Sequence, residues 1–534
     1  MKRITYALIF FWLVINAGCS LSRSSAADHI FLITLDTTRA DCINYSPGNN
    51  RHTPNLAALA SRGIYFKNAY ALTPVTLPSH YSMLYSLPPH LLKIYNNGQV
   101  RQVSHPALPQ LMKKKDYRTG AVVSLGVLKS DFGLNKGFDE YIENFKSYLW
   151  YKTAEEVNRD AFGLLAKIKG KKSFTWLHYS DPHEPYYPPI YKGNFRVYFN
   201  GSPVFTSKSI EQPLVSLNLE LKPGENLMDL KTEIPPAIRK SRQVAIRFMT
   251  YQDFEVTGPK VPEAVEVVVP RRWQKAKVKG KTNYFARAKD SSVILLNKEK
   301  ENLPINLSFV FRMLEHPNSR KYLYRHQVRY MDRQIGKLIE FLKARQMYDN
   351  SLFIIMGDHG EGLGEYRQHF GHIHYLNKIY SHVPLIIAGV GVKQRGAREE
   401  PVTTLDIAPT ILHLAGIRKP DFMQGRSLDK PLSPNKIILE TYAPEAYFDS
   451  FSVVDFPYQI IFCPGRKKDR IELIDLQNDR FGIRNIFHTT KNLQIKSDLY
   501  NSVLKISRVL TAQKGKVGKI SERHREILKS LGYL

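Results

Sequence analysis

The sequence is poor in cysteine and in acidic residues, and each shortage excludes a class of protein. Its 534 residues include three cysteines, Cys19, Cys42 and Cys463. Three cysteines can build neither a disulfide-rich scaffold nor a zinc ribbon, and whether Cys42 and Cys463 pair is left open. The 48 acidic residues are outnumbered by 77 Lys and Arg, which gives a formal net charge of +29. This charge favours polyanions, anionic membrane surfaces or anionic small substrates as partners.

The apolar run near the N-terminus, Ile4 to Ile15, is shorter than the ~18 residues of a membrane-spanning helix. It follows basic residues and precedes small ones, as in a secretory signal peptide, and Asn16-Ala17-Gly18-Cys19 resembles a bacterial lipobox. We expect residues 1–19 to be a lipoprotein signal peptide, Cys19 to be lipidated, and residues 20–28 to be a tether. Ordinary signal-peptidase cleavage or an uncleaved anchor are the alternatives. The expected location is the bacterial cell envelope, with the protein lipid-anchored and facing the periplasm or the surface.

Buried-strand patterns alternate with helical patterns over most of the chain, which predicts an α/β fold with a mostly parallel sheet and helices on both faces. Strands are predicted at Ile30–Leu35, Gly120–Ser124, Phe174–Tyr179, Leu352–Met356 and Pro384–Ala388. Helices are predicted from Thr53-Pro54 onward and at Leu108–Lys114, Ala154–Ile168, Tyr322–Arg345, Thr404–Leu414 and Arg525–Leu531.

Residues 190–307 interrupt this rhythm with patterns of period two, such as Val215 to Leu221, and predict an inserted β-rich domain. The flanks, 29–189 and 308–420, would form the core, and 421–534 a smaller C-terminal α+β subdomain. Within the insert, Arg271–Lys289 holds eight Lys or Arg and no acid. This stretch is either a solvated surface or a patch that binds polyanions.

Polar residues follow three of the predicted elements. Asp36 comes directly after the first strand, and Asp358 and His359 follow a later one. Because the carboxyl ends of parallel strands meet at one edge of the sheet, these side chains can share one metal ion, although Asp also caps turns.

Thr76 stands at a predicted helix start, where free N–H groups favour an anion, or is only a cap. His183 lies in a polar turn and is either a proton donor or an ordinary surface residue.

Several segments, taken in this order, resemble the sulfatase family of the alkaline phosphatase superfamily. They are DTTRAD at 36–41, TLPSH at 76–80, Gly133 to Asp139, HYSDPHEPY at 178–186, GDHGEGLGE at 357–365, Asp406 to Thr410 and the terminal LKSLGY. The resemblance covers residues 29–189 and about 308–534. It implies an alkaline-phosphatase-like sheet sandwiched by helices, and hydrolysis of sulfate or phosphate esters by a metal-held nucleophile.

The resemblance also implies roles for individual residues. Thr76 falls where the family places its nucleophile, His183 where a residue contacts the transferred group, and His372 near the leaving-group side. The implied metal ligands are Asp36, Asp358, His359 and Thr76, and the implied substrate-binding residues are Asn97, His183 and Arg39.

Three departures from the family pattern bear on the chemistry. Sulfatases carry a Cys or Ser that is oxidised to formylglycine, a modification that Thr76 cannot take. Thr37 replaces a paired acid, and His359 replaces a common Asn. With fewer carboxylates and one imidazole, the single divalent ion is expected to be zinc or manganese, with calcium or magnesium as further options.

Three functions remain open from the sequence. The first is a metal-dependent hydrolase of sulfate or phosphate esters, acting on a sulfated or phosphorylated glycan, lipid or small molecule. The second is a phosphoethanolamine-type phosphotransferase that modifies envelope lipids or glycans. The third is a catalytically weak, polyanion-binding lipoprotein. Specific binding of nucleic acid is not expected, because no reading module accompanies the charge.

Overall fold

The protein is represented by a computed structural model. It describes residues 26–46, 52–145, 150–168, 170–184, 186, 194–207, 214–233, 246–261, 263–268, 274–278, 281–287, 291–315, 317–433, 435–442, 449–465 and 468–513. The predicted signal peptide with Cys19, and the predicted helix Arg525–Leu531, lie outside these residues. The chain divides into a first unit of residues 1–180, 331–362 and 372–534, and a second unit of residues 181–330 and 363–371.

An eight-stranded sheet organises the first unit. Its strands, in chain order, are β1 His29–Leu35, β2 Gly63–Phe66, β3 Arg118–Val122, β4 Glu140–Ile142, β5 Ser173–Tyr179, β6 Ser351–Gly357, β7 Leu385–Gly389 and β8 Gly396–Arg398. Across the sheet they lie in the order β8-β2-β7-β6-β1-β5-β3-β4. Only β7 runs antiparallel to its neighbours, so the sheet is mostly parallel, as predicted.

The three central strands, β6, β1 and β5, are buried along their whole length. Strands buried on both faces read as continuous apolar runs, which is why the sequence predicts them to within a residue or two. In register, Leu35 at the end of β1 pairs with both Gly357 of β6 and Tyr179 of β5. The residues that follow these strands therefore emerge side by side at one edge.

The helices of the first unit confirm most of the predicted ones. Ala154–Ile168 has a stripe of buried apolar residues and packs on β5 and β3, and Pro54–Ala60 packs on β7 and β2. The other α-helices are Thr76–Tyr85, Pro89–Leu92, Leu108–Lys113, Lys378–Ser381, Ile407–Leu414 and Leu493–Gln513, and Pro317–Ala344 begins in the second unit. Short 3-10 helices lie at Ala40–Cys42, Gly126–Leu128, Ser130–Phe132 and Thr404–Asp406.

The C-terminal part of the first unit contains a four-stranded antiparallel sheet. Its strands are Ile437–Thr441, Ser450–Asp455, Tyr458–Cys463 and Arg470–Asp475, and helix Leu493–Gln513 packs against it. Short strands Ala69–Tyr70 and Val402–Thr403 pair elsewhere in this unit. No disulfide joins Cys42 to Cys463. In the described part of the chain, no helix combines the length and the hydropathy that crossing a membrane requires.

The second unit contains two five-stranded antiparallel sheets. One has strands Asn194–Phe199, Ser202–Ser207, Gly224–Glu233, Val265–Val268 and Ser291–Asn297, and the other has Leu214–Leu221, Ile246–Thr257, Gln274–Val278, Lys281–Arg287 and Leu303–Glu315. Short strands lie at Gly362–Leu363 and Phe370–Gly371. The boundary predicted at 307 falls inside strand Leu303–Glu315. The side chains of the basic stretch 271–289 lie outside the described residues, and both interpretations of it stay open.

Candidate active site

The ends of β1 and β6 bring two acidic residues together. The Asp36 amide donates to the Tyr179 carbonyl at 2.8 Å, and the Asp358 amide donates to the Leu35 carbonyl at 3.4 Å. The first residue after each strand is thus held against the neighbouring strand. Both carboxylates are completely buried, in the arrangement that the sequence predicts for strand-end acids.

Thr37 fixes one oxygen of Asp358. It has a left-handed backbone, φ +51°, which turns its amide toward Asp358 Oδ1 at 3.0 Å. The His359 amide donates to the same oxygen at 2.7 Å. Asp358 Oδ2 and both oxygens of Asp36 have no hydrogen-bond partner among the described residues. Buried carboxylate oxygens without donors are costly, and a bound cation would satisfy them.

Burial raises the pKa of both carboxyl groups well above their ordinary value. For Asp36 the second cause is the nearby charge of Glu361, and for Asp358 it is the charge of Asp36. Crowded carboxylates of this kind bind protons in the absence of a cation, and a divalent ion would compete with those protons.

Thr76 is the first residue of helix Thr76–Tyr85 and is fully buried. Its Oγ1 lies 3.1 Å from His359 Nε2. His359 Nδ1–H donates to the Gly360 carbonyl at 3.0 Å, so Nε2 presents its lone pair toward the hydroxyl. A residue with a side chain would clash at position 360, because a Cβ there would lie 2.1 Å from the Ile379 carbonyl oxygen.

Two of the N–H groups that the sequence predicts to be free at the helix start are already hydrogen-bonded. The Leu77 amide donates to Asn97 Oδ1 at 2.9 Å, the Ser79 amide donates to the Val75 carbonyl at 3.0 Å, and Pro78 has no amide hydrogen. The helix dipole remains available to an anion at this end, but these direct donors do not. Asn97 therefore caps the helix of Thr76 through its oxygen, and its Nδ2 has no partner among the described residues.

The donor set fits a divalent metal ion. Asp36, Asp358 and His359 each offer a ligand atom within 4.8 Å of the other two, and the Thr76 hydroxyl lies next to His359. Two carboxylates and one neutral imidazole suit zinc or manganese.

His372, predicted on the leaving-group side, lies beside this cluster. Its ring centroid is 4.5 Å from that of His359, and its Nδ1–H donates to Glu361 Oε2 at 3.1 Å. Glu361 is buried and was missed by sequence reasoning, because an acid two residues after His359 in a glycine-rich loop has no distinctive spacing. Together they form a histidine–carboxylate pair that can hold a proton.

The Arg39 side chain is held by hydrogen bonds to Asp41 and to the Glu361 backbone. Its Nε and Nη2 donate to the two oxygens of Asp41 at 2.8 Å each, and Nη1 donates to the Glu361 carbonyl at 3.2 Å. His183 belongs to the second unit, where its Nδ1–H donates to the Glu184 carbonyl at 2.5 Å. The substrate-binding roles of Arg39, Asn97 and His183 stay predictions.

A buried network behind the site was also missed. His80 Nδ1–H donates to the Thr76 carbonyl at 2.8 Å, and its Nε2 lies 3.1 Å from the Thr34 hydroxyl. His178, on β5, contacts the Ser124 hydroxyl through Nδ1 at 2.7 Å, and burial lowers its pKa to about 3. A histidine inside a mostly apolar run is typical of a buried strand, so no local pattern singles it out.

Comparison with known proteins identifies the family of this chain. The sulfatase family model matches residues 28–417, and a second model, described as the C-terminal part of N-sulphoglucosamine sulphohydrolase, matches residues 364–509. A choline-sulfatase of Rhizobium meliloti (strain 1021) is 22% identical over 470 residues, covering 86% of this chain and 82% of that protein.

Two solved structures share the fold. One, bound to its substrate D-glucosamine-2-N,6-O-disulfate, has a TM-score of 0.57 at 16% identity, over 90% of this chain and 98% of that one. The other, a phosphonate monoester hydrolase from Silicibacter pomeroyi, has a TM-score of 0.57 at 17% identity, over 93% of this chain and 98% of that one. The predicted fold class is confirmed, and since the family model covers well over half of the sequence, the chain belongs to the sulfatase family of hydrolases.

Proposed function

We propose that this protein is a metal-dependent hydrolase of sulfate or phosphate esters, in which Thr76 is the nucleophile in place of formylglycine. The observation that carries the proposal is the position of the Thr76 hydroxyl. It lies 3.1 Å from the unprotonated nitrogen of His359, beside two buried carboxylates whose oxygens lack donors. A helix-capping Thr needs none of these neighbours.

Asp36, Asp358, His359 and Thr76 would hold one divalent ion, with zinc or manganese favoured by the mixed oxygen and nitrogen ligands. When bound, such an ion lowers the pKa of a hydroxyl and stabilises negative charge on an ester oxygen. The rest of the proposal concerns the groups that the chain itself supplies.

In the first step the Thr76 oxygen, its proton already lost to solvent, would form a bond to sulfur or phosphorus while the bond from that atom to the ester oxygen breaks. The leaving oxygen takes a proton from His372. The Glu361 carboxylate stabilises the protonated form of His372 at 3.1 Å. In the second step water attacks the Thr76 ester, which releases the inorganic anion and restores the hydroxyl.

For the substrate we propose an anionic ester carried by a glycan, a lipid or a small molecule. The net charge of +29 attracts such substrates, and the structure solved with a sulfated glucosamine shows that a protein of this fold binds a sulfated sugar. The expected signal peptide and Cys19 support export and lipid anchoring in the cell envelope.

The experiment compares initial rates on an aryl sulfate, a phosphate monoester, a phosphodiester and a phosphonate ester, after chelation and after readdition of single metals. We expect one ester class to dominate, with activity lost on chelation and restored by Zn²⁺ or Mn²⁺. Release of free sulfate or phosphate distinguishes a hydrolase from the phosphotransferase alternative, which would need an acceptor alcohol. Turnover that survives complete removal of metal would contradict the proposal, and so would absence of turnover on all four classes.

A further inference from the structure

We propose that Trp176, Thr34 and His80 form a chain of hydrogen bonds that positions the nucleophile Thr76. The inference rests on the proposed function, because it concerns the residue that would attack the ester. It adds three positioning residues, none of which has a part in the chemistry proposed above. They act through the backbone of Thr76 and not on the substrate or on a metal ion.

The three side chains meet because of strand register and helix periodicity. On β5, Trp176 pairs with Leu32 of β1, so its side chain lies on the same face of the sheet as that of Thr34, two residues further along β1. His80 lies four residues after Thr76 in the helix that Thr76 begins, so the two share one side of the helix. All three side chains of the chain are buried.

The direction of each hydrogen bond follows from the two ends of the chain. An indole nitrogen only donates, and Trp176 Nε1–H donates to Thr34 Oγ1 at 2.9 Å. A backbone carbonyl only accepts, so His80 carries a hydrogen on Nδ1 and donates it to the Thr76 carbonyl at 2.8 Å. Burial, and then the nearby His178 ring, hold the pKa of His80 well below its ordinary value, so the ring is neutral. Its Nε2 therefore accepts from the Thr34 hydroxyl at 3.1 Å.

The orientation of the His80 ring is well defined. Its centroid lies 5.2 Å from the ring of Trp176 and 5.0 Å from the ring of His178. Asp358 Oδ2 is 3.8 Å from His80 Nδ1, which is too far for a hydrogen bond, so the Thr76 carbonyl is the acceptor. Both nitrogens of a buried, uncharged ring are thus hydrogen-bonded, and a different ring orientation would leave them without partners.

The chain fixes the peptide group that joins Thr76 to Leu77. His80 donates to its carbonyl oxygen, and its N–H donates to Asn97 Oδ1 at 2.9 Å. With this peptide group held on both sides, the side-chain torsion is the main freedom left to Thr76. A helical Thr divides between two such rotamers, and the observed one places Oγ1 3.1 Å from His359 Nε2. Because misplacing a reacting atom by ~1 Å can cost about 10²-fold in rate, we expect the chain to control the rate of attack.

The test is Thr34→Val, which removes the middle hydroxyl and leaves the shape of the side chain nearly unchanged. kcat and KM are measured on the ester that the wild type cleaves fastest, and kcat is divided by the metal bound per chain, so that only assembled sites are counted. We expect kcat per bound metal to fall by about 10- to 10²-fold. KM and metal content should stay at the wild-type values, because Thr34 would contact neither the substrate nor the ion.

The matched control is Thr175→Val. Thr175 precedes Trp176 on β5 and is as fully buried as Thr34, but its Oγ1 has no hydrogen-bond partner among the described residues. Its side chain lies on the opposite face of the sheet from that of Trp176. We expect this variant to keep the wild-type kcat. If Thr34→Val matches it in kcat per bound metal, the proposal is overturned.

A second pair of variants decides the question if Thr34→Val does not fold. His80→Asn keeps an N–H donor near the position of Nδ1, whereas His80→Leu has no donor for the Thr76 carbonyl. We expect kcat per bound metal to be higher in His80→Asn by about tenfold or more. Equal values in the two variants would overturn the positioning chain and leave Thr76 as the nucleophile. Absence of wild-type turnover on all four ester classes would instead contradict the proposed function, and this proposal with it.

Discussion

The Thr76 hydroxyl lies 3.1 Å from Nε2 of His359, although the two residues are 283 positions apart in the chain. The helix that begins at Thr76 supplies one group, and the turn after β6 supplies the other. The contact places the Thr76 hydroxyl against an unprotonated nitrogen, next to the buried carboxylates of Asp36 and Asp358. The proposal depends on this proximity, because the Thr76 oxygen and His359 Nε2 would be ligands of the same ion.

Asp358→Asn should abolish metal binding and lower kcat/KM by about 10³-fold or more. The amide oxygen can still accept from the Thr37 and His359 amides, so the loop should keep its shape while the ligand charge is lost. Metal content and turnover measure the effect. Asp406→Asn is the control, because Asp406 is buried but both of its oxygens accept backbone amides, and it should keep the metal. Full metal content in Asp358→Asn would exclude Asp358 as a ligand.

Stability of the metal-free protein should fall as pH rises. Burial raises the pKa of Asp36 and Asp358 above the ordinary 3.8. An acid with a raised folded-state pKa stabilises the fold fully below its unfolded pKa, and that stabilisation is lost as pH rises through the folded-state pKa.

Urea midpoints of the chelated wild type should therefore decline from about pH 5 to pH 8 relative to those of Asp36→Asn, which has one ionisable group fewer in the pair. The variant should be the more stable of the two at the upper end of this range. Parallel curves for the two proteins would show that these carboxyl groups do not control the stability of the metal-free state.

His372→Gln should affect poor leaving groups more than good ones. If His372 supplies the proton to the departing oxygen, kcat on an alkyl ester should fall by about 10²–10⁴-fold, whereas kcat on a nitrophenyl ester should fall much less. Glu361→Gln should show the same selectivity more weakly, because it removes only the partner of Nδ1. Equal losses on both esters would assign His372 to positioning instead.

Gly360→Ala should destabilise the protein by about 1–3 kcal/mol or more, because the added Cβ would lie 2.1 Å from the Ile379 carbonyl oxygen. Gly163→Ala is the matched control. It lies on the exposed face of helix Ala154–Ile168 with nothing within 4 Å of the new Cβ, and it should gain about 0.5–1 kcal/mol. Urea unfolding compares the two, and a neutral Gly360→Ala would mean that the metal-ligand loop has room to move.

Strands β1 and β6 were predictable because most of their residues are apolar and an acid follows each of them. Register then brings Asp36 beside Asp358, which the rule for parallel strand ends anticipates. Thr76 was found through the family pattern, because a Thr at a helix start is by itself an ordinary cap. The geometry that makes it distinctive, its distance to His359, is a contact between distant segments and has no local signal.

Three features escaped the sequence for physical reasons. His178 and His80 lie within apolar strand and helix segments, and only tertiary packing brings their rings to 5.0 Å. Glu361 lies two residues after His359 in a glycine-rich loop. The conformation of this loop depends on the close packing of Gly360 against the Ile379 carbonyl oxygen. An amide at the start of the Thr76 helix is expected to be free for an anion, but the Leu77 amide donates to Asn97 Oδ1, twenty positions away in the chain.

Turnover of Thr76→Ala and Thr76→Ser, on whichever ester the wild type cleaves fastest, tests the account most directly. Thr76→Ala should lose nearly all activity, by about 10³-fold or more, because the bonding oxygen is gone. Thr76→Ser should retain part of it, because only a methyl group is removed. A Thr76→Ala variant that turns over at the wild-type rate, with its metal still bound, would show that Thr76 is only a helix residue and would contradict the account.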